Sequence, residues 1–224
     1  MAFAIIGNGG VIAEVDGTAF RGLRTTPRPT DHGALGHYSY GGFSGIIPAA
    51  LAANSEIFQF RWTDPTRFSL IRRVRFHAAV STTFFSAGVP VQIDLVKATA
   101  WSAAGTGGTR VTPAANMKMR TSMGGSLVAA GDIAIATTAA LGAGTKTLES
   151  NSLAAIMAAG PITASLNGQI FPTDTILYDA PIGDGQHPLI LAQNEGFVVR
   201  SVNVPATGTW QFSISVDYGE LTGF

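Results

Sequence analysis

Cysteine is absent from the chain. This excludes disulfide staples, thiolate nucleophiles, thiolate-bound zinc and iron–sulfur clusters together. Charge is scarce: 12% of residues are Asp, Glu, Lys or Arg, against about 25% in an average soluble domain. The 14 bases cancel the 14 acids. Phosphate binding needs a clear basic excess, so nucleic acid is not an expected partner. Long apolar runs are missing too. The nearest approach, residues 126–144, is rich in Ala, Gly and Thr and carries Asp132, so no membrane span is expected. The opening MAFAIIGNGG has no Lys or Arg before its short apolar run, and no Asn-x-Ser/Thr sequon occurs. Neither a secretory signal nor glycosylation is expected.

What remains is a chain of 224 residues, 46% hydrophobic with much of that alanine, holding 27 glycines and 11 prolines. It is too apolar and too evenly charged for intrinsic disorder. The cations are mostly arginine, eleven against three lysines, and they cluster. Residues 21–75 hold Arg21, Arg24, Arg28, Arg61, Arg67, Arg72, Arg73 and Arg75 against three acids, Asp31, Glu56 and Asp64. Arginine is the cation favoured at protein interfaces, because its planar fork binds carboxylates bidentately and stacks on aromatic rings.

Residues 1–45 read as an extended, irregular arm. Pro27 and Pro29 interrupt any ladder there, and His37-Tyr38-Ser39-Tyr40-Gly41-Gly42-Phe43 mixes rings with glycines. Arg21, Arg24, Arg28, Tyr38 and Tyr40 are the candidate partner-binding residues of this arm. From residue 46 to the end the chain reads as one β domain. Phe58, Phe60 and Trp62 alternate with polar residues, and Asp64-Pro65 ends that run. Residues 68–80 read as a long strand with Leu70, Arg72, Val74, Phe76 and Ala78 on one side. Residues 89–101 repeat the theme with Val91, Ile93 and Leu95. Ile133 to Thr137 suits a strand. Leu148, Leu153, Ile156 and Met157 fall at near-helical spacing before Gly160-Pro161, which predicts a short helix over 148–159. The C-terminal third is a meander: strands over 187–192, 197–202 and 209–218, with turns at 193–196 and 205–208. In the last strand Trp210, Phe212, Ile214, Val216 and Tyr218 share one face. Many strands, short turn-rich connections, at most one or two short helices and no internal repeat give an all-β expectation: an antiparallel β-sandwich or jelly roll.

Templates for chemistry fail. Gly7-Asn8-Gly9-Gly10-Val11-Ile12 lacks the third glycine of a dinucleotide fingerprint, and Gly142-Ala143-Gly144-Thr145-Lys146-Thr147 has the wrong spacing for a phosphate loop. Ser44, in Gly42-Phe43-Ser44-Gly45, lacks the frame of a nucleophile elbow. His32, His37, His77 and His187 show no metal-ligand spacing. Trp62, Trp101 and Trp210 sit in strand patterns, where packing is their expected role. No catalytic residue, metal or cofactor is expected.

Residues 51–64 (LAANSEIFQFRWTD), 191–200 (LAQNEGFVVR) and 204–212 (VPATGTWQF) resemble structural proteins of tailed bacteriophages. The resemblance covers about half the chain and brings no catalytic motif. It implies a virion component made in the host cytoplasm. The leading expectation is a capsid decoration (cement) protein. Such a protein would contact other virion proteins, the major capsid protein first, and would form a homo-oligomer with a trimer favoured. The alternative is a tail, baseplate or fibre component with a host-binding or adaptor role.

Overall fold

The computed structural model describes residues 36–85, 88–112, 117–159, 168–172, 174–180 and 187–222. Arg21, Arg24 and Arg28 lie outside the described residues. Fourteen strands occur among the described residues: β1 (Gly36–Phe43), β2 (Ile47–Pro48), β3 (Ser55–Trp62), β4 (Phe68–Val80), β5 (Pro90–Ala103), β6 (Thr109–Val111), β7 (Ile133–Ile135), β8 (Thr145–Leu148), β9 (Ala154–Ala159), β10 (Gln169–Phe171), β11 (Ile176–Asp179), β12 (Leu189–Leu191), β13 (Glu195–Asn203) and β14 (Thr209–Leu221). They build two antiparallel sheets of seven strands each, packed as a β-sandwich.

In the first sheet β14 lies between β1 and β4, and β2 continues the line of β1 along β14. The far side of β4 carries three short strands end to end. β12 lies opposite Ser69–Ile71, β11 opposite Arg73–Arg75 and β10 opposite Ala78–Ala79. The second sheet runs β6-β7-β3-β13-β5, and β9 and β8 then share the outer side of β5.

Between the sheets lies an aromatic core. The predicted face of β14, Trp210 to Tyr218, is buried throughout. It meets Phe58, Phe60 and Trp62 of β3 and Phe197 and Val199 of β13. Rings bridge the two layers: Tyr40 stacks on Phe58 at 6.0 Å, and Phe60 meets Tyr218 edge-on at 5.2 Å. Each such side chain contributes roughly 1.5–3 kcal/mol by leaving water.

Three readings of the sequence change. No helix forms over 148–159. Residues 154–159 pair with Leu95 back to Pro90, so Ala154, Ile156 and Ala158 pack on the core while Met157 points out, 66% exposed. Cross-strand pairing outweighs the high helix propensity of alanine there. In β4, Arg72 bulges out of register: Asp217 pairs with Arg73 and Tyr218 with Ile71. The extra residue shifts the phase of the strand, so Ile71 rather than Leu70 joins the core cluster. The last part of the segment read as an arm is β1, hydrogen-bonded along β14 from Gly36 to Phe43. Tyr38 and Tyr40 are core side chains, 0% and 8% exposed. Their rings lie along the strand over Gly36 and Gly42, where a Cβ would run into the Tyr38 and Tyr40 hydroxyls.

The outer face of the second sheet holds a smaller cluster. Val96, Ala98, Trp101 and Val198 are buried there beside Leu148. An irregularity in β5 between Thr99 and Ala103, with Ala100 at φ 49°, brings Trp101 onto the side of Val96 and Ala98. Gly196 makes room for it, since a Cβ there would strike the indole and the Phe60 carbonyl. Around this cluster charges are paired. Arg200 donates to both oxygens of Asp94 at 3.0 and 2.6 Å, and Ser152 adds a third bond at 2.6 Å. Arg61 Nε and Thr63 Oγ1 donate to Asp132 at 2.7 and 2.6 Å.

Candidate functional site

The strand registers place outward-facing side chains of the first sheet in rows. One row runs Ser39, Asp217, Arg73, Asp179. The next runs Gly41, Ser215, Arg75, Ile176. The third runs Phe43, Ser213, His77. Glycine and two serines leave a shallow floor between the Phe43 ring and the Arg75 and His77 side chains. The result is a groove of about 370 Å³, to which Asp174 adds a wall from the turn before β11. Phe43 is 84% exposed, and Ile46 and Ile176 are also open to solvent nearby in the chain or on the next strand.

The two arginines of this face differ. Arg73 is held bidentately by Asp179 at 2.9 and 3.1 Å, and that hydrogen bond raises its pKa. Arg75 makes no ion pair among the described residues. An exposed ring, an uncommitted guanidinium, an imidazole and two hydroxyls make a surface that suits an acidic or carbonyl-rich protein segment. Guanidinium forks and aromatic rings supply most of the affinity at such contacts.

A second cleft of about 560 Å³ lies at the seam of the sheets, lined by Lys97, Leu153, Tyr178, Asp179 and His187. Tyr178 faces a structural task there, accepting the Leu189 amide at 2.7 Å.

One end of the core holds a buried carboxylate. Glu220, 1% exposed, accepts from Ser126 Oγ and the Leu127 amide, both at 2.8 Å and both at Oε1. Ser126 Oγ also bonds the Tyr218 hydroxyl at 2.7 Å. Loss of water raises the Glu220 pKa, and the two donors only partly oppose this. Burial, with the Glu220 charge adding to it, pushes Tyr38 up to about 12. The fold therefore favours protonated Glu220. Its stabilising share is full below the ordinary carboxylate value of 4.5 and is lost as pH rises through the raised one. Glu220→Gln keeps an acceptor for both donors. Urea midpoints across pH should show the wild type falling further than this variant as pH rises above 4.5.

Of the sequence candidates, Tyr38 and Tyr40 are not available to a partner, because both lie between the sheets. None of Phe43, Arg75 and His77 was a partner-binding candidate: the sequence held them only in the arm's mix of rings, the arginine cluster and the set of histidines. Phe43 lies an odd number of positions from Tyr38 and Tyr40, so strand alternation puts it on the opposite face from them. Among the described residues no group of three or more His, Asp or Glu could hold a metal ion. No protein-family model matches the chain, no curated protein matches its sequence, and no solved structure matches its fold.

Proposed function

We propose that this chain is a structural protein of a tailed-bacteriophage virion, a capsid decoration protein that acts by contact rather than turnover. It is made in the host cytoplasm and works as a homo-oligomer, a trimer being favoured, on the major capsid protein. Binding the assembled shell but not free coat subunits stabilises the shell by the binding free energy. Many symmetric copies let a modest individual affinity suffice.

The resemblance of residues 51–64, 191–200 and 204–212 supports the virion reading. The observation that carries the contact reading is the outer face of the first sheet, where the Phe43 ring is exposed and Arg75 has no ion pair among the described residues, while its neighbour Arg73 is held by Asp179. Arg21, Arg24 and Arg28 remain a proposed second contact.

Imaging of the particle tests the assignment. Decoration requires the chain over the shell at the copy number of a shell component. Finding it only in tails, at low copy number, replaces decoration with a baseplate or fibre role. At the residue level, Phe43→Asp should weaken particle binding by about 30-fold, a hot-spot loss of about 2 kcal/mol. Its thermal midpoint should stay within a degree or two of wild type, as befits an exposed side chain. Sedimentation of particles mixed with each protein measures the first, and calorimetry the second.

A further inference from the structure

On the outer face of the second sheet, a buried amine and a buried amide share one carboxylate oxygen. Lys146 Nζ lies 2.9 Å from Glu56 Oε2, and Gln59 Nε2 donates to the same oxygen at 2.6 Å. The Lys146 side chain is 2% exposed and that of Glu56 7%. Lys146 lies 4.5 Å over the Trp101 ring and also bonds the Ala143 carbonyl. The amide of Gln59 is held a second time by the Gly142 carbonyl at 2.9 Å, which fixes its nitrogen toward Glu56. Its oxygen, Gln59 Oε1, is buried and has no hydrogen-bond partner among the described residues. Backbone presses on the amide from above: a Cβ at Gly105 would lie 2.9 Å from Gln59 Nε2 and would overlap the Gly142 carbonyl. The Leu141 amide ties this roof to the Glu56 carbonyl at 2.8 Å.

A lysine–glutamate pair needs no glutamine, and an orphaned buried carbonyl in a native core calls for an explanation. We propose that Lys146 and Gln59 form an intramolecular isopeptide bond, with Glu56 relaying the protons. Glu56 takes a proton from the Lys146 ammonium, and the freed lone pair attacks Gln59 Cδ. The carbonyl π pair moves to Oε1. As it returns, the Cδ–Nε2 bond breaks. Glu56 passes on the protons released by Lys146, and the amide nitrogen leaves as ammonium. One C–N bond forms, one breaks, no electrons are exchanged with a cofactor, and Glu56 ends as it began. The shared Glu56 oxygen brings the amine and the amide together, and partners that reach a near-attack geometry gain effective concentrations of roughly 10⁵–10⁸ M over separate molecules. The Gly105–Gly142 roof and the Trp101 indole keep out the water that would compete. The bond would join β3 to β8 covalently in a chain that has no cysteine for the purpose.

Intact mass of the purified, folded full-length chain decides the matter. The expected value is lower than the sequence mass by one ammonia, and digestion should yield one peptide pair joined through Gln59 and Lys146. Glu56→Gln and Lys146→Arg should both show the full mass, with far-ultraviolet circular dichroism of a β protein. Asn8-Gly9 and Asn167-Gly168 can also lose ammonia through succinimides, so the peptide map is part of the test. A wild-type chain that stays at full mass after long incubation in the folded state overturns the proposal, as does an ammonia loss mapped to those asparagines. A bond that still forms in Glu56→Gln overturns the role given to Glu56. If a variant does not fold, the wild-type mass and map alone decide.

Discussion

Asp94→Ala is expected to remove about 3–5 kcal/mol of stability, the usual cost of breaking a buried ion pair from one side. Asp94 is 3% exposed and stands directly opposite Arg200 in the β5–β13 ladder. Its two oxygens take two bonds from Arg200 and one from Ser152. Removing the carboxylate leaves a guanidinium, 17% exposed, facing a void in the middle of a sheet. The loss comes mostly from that stranded charge, not from the attraction itself. Replacing both partners together, as Asp94→Leu with Arg200→Met, should therefore cost far less than the single change. Urea unfolding of the single and double variants measures both, and an equal loss in the two would refute the stranded-charge account. Against a total of about 5–15 kcal/mol for a domain, the single change is large enough to leave the chain marginal.

Phe60→Ala should cost a similar amount, about 3–5 kcal/mol. Phe60 stacks on Phe197 in its own sheet at 5.4 Å and meets Tyr218 of the other sheet edge-on at 5.2 Å. Its removal opens a cavity at a point where both layers touch, and rigid strands on either side limit collapse. Phe60→Leu keeps most of the volume and should recover more than half of the loss. The change in thermal midpoint reports the difference, and a Phe60→Ala midpoint near wild type would mean that the layers close over the gap.

The long strands were legible because one face of each is large and apolar while the other is polar. Trp210 to Tyr218 alternates without interruption, and the structure buries each apolar member. Elsewhere the same rule was blurred by side-chain size. In residues 154–159 four alanines look alike on either face, so only Ile156 and Met157 carried the signal, and adjacent positions suit a helix as well as a strand. In β1 the glycines diluted the alternation of Tyr38 and Tyr40, although those glycines are what let the rings lie flat. The bulge at Arg72 was beyond reach, because a phase shift depends on the partner strand. The candidate groove shows the same limit. Phe43, Ser213, His77 and Arg75 come from three strands remote in sequence, and only the registers of β1, β14 and β4 bring them into rows.

The rail along β4, assembled from β12, β11 and β10 in three separate pieces, gives the molecule a particular tolerance. Each piece holds its own two or three rungs, so added residues in the connections between pieces leave the neighbouring rungs in step. A foreign peptide inserted between Asp179 and Leu189 should therefore leave the rungs of β11 and β12 on β4 in place, at little energetic cost.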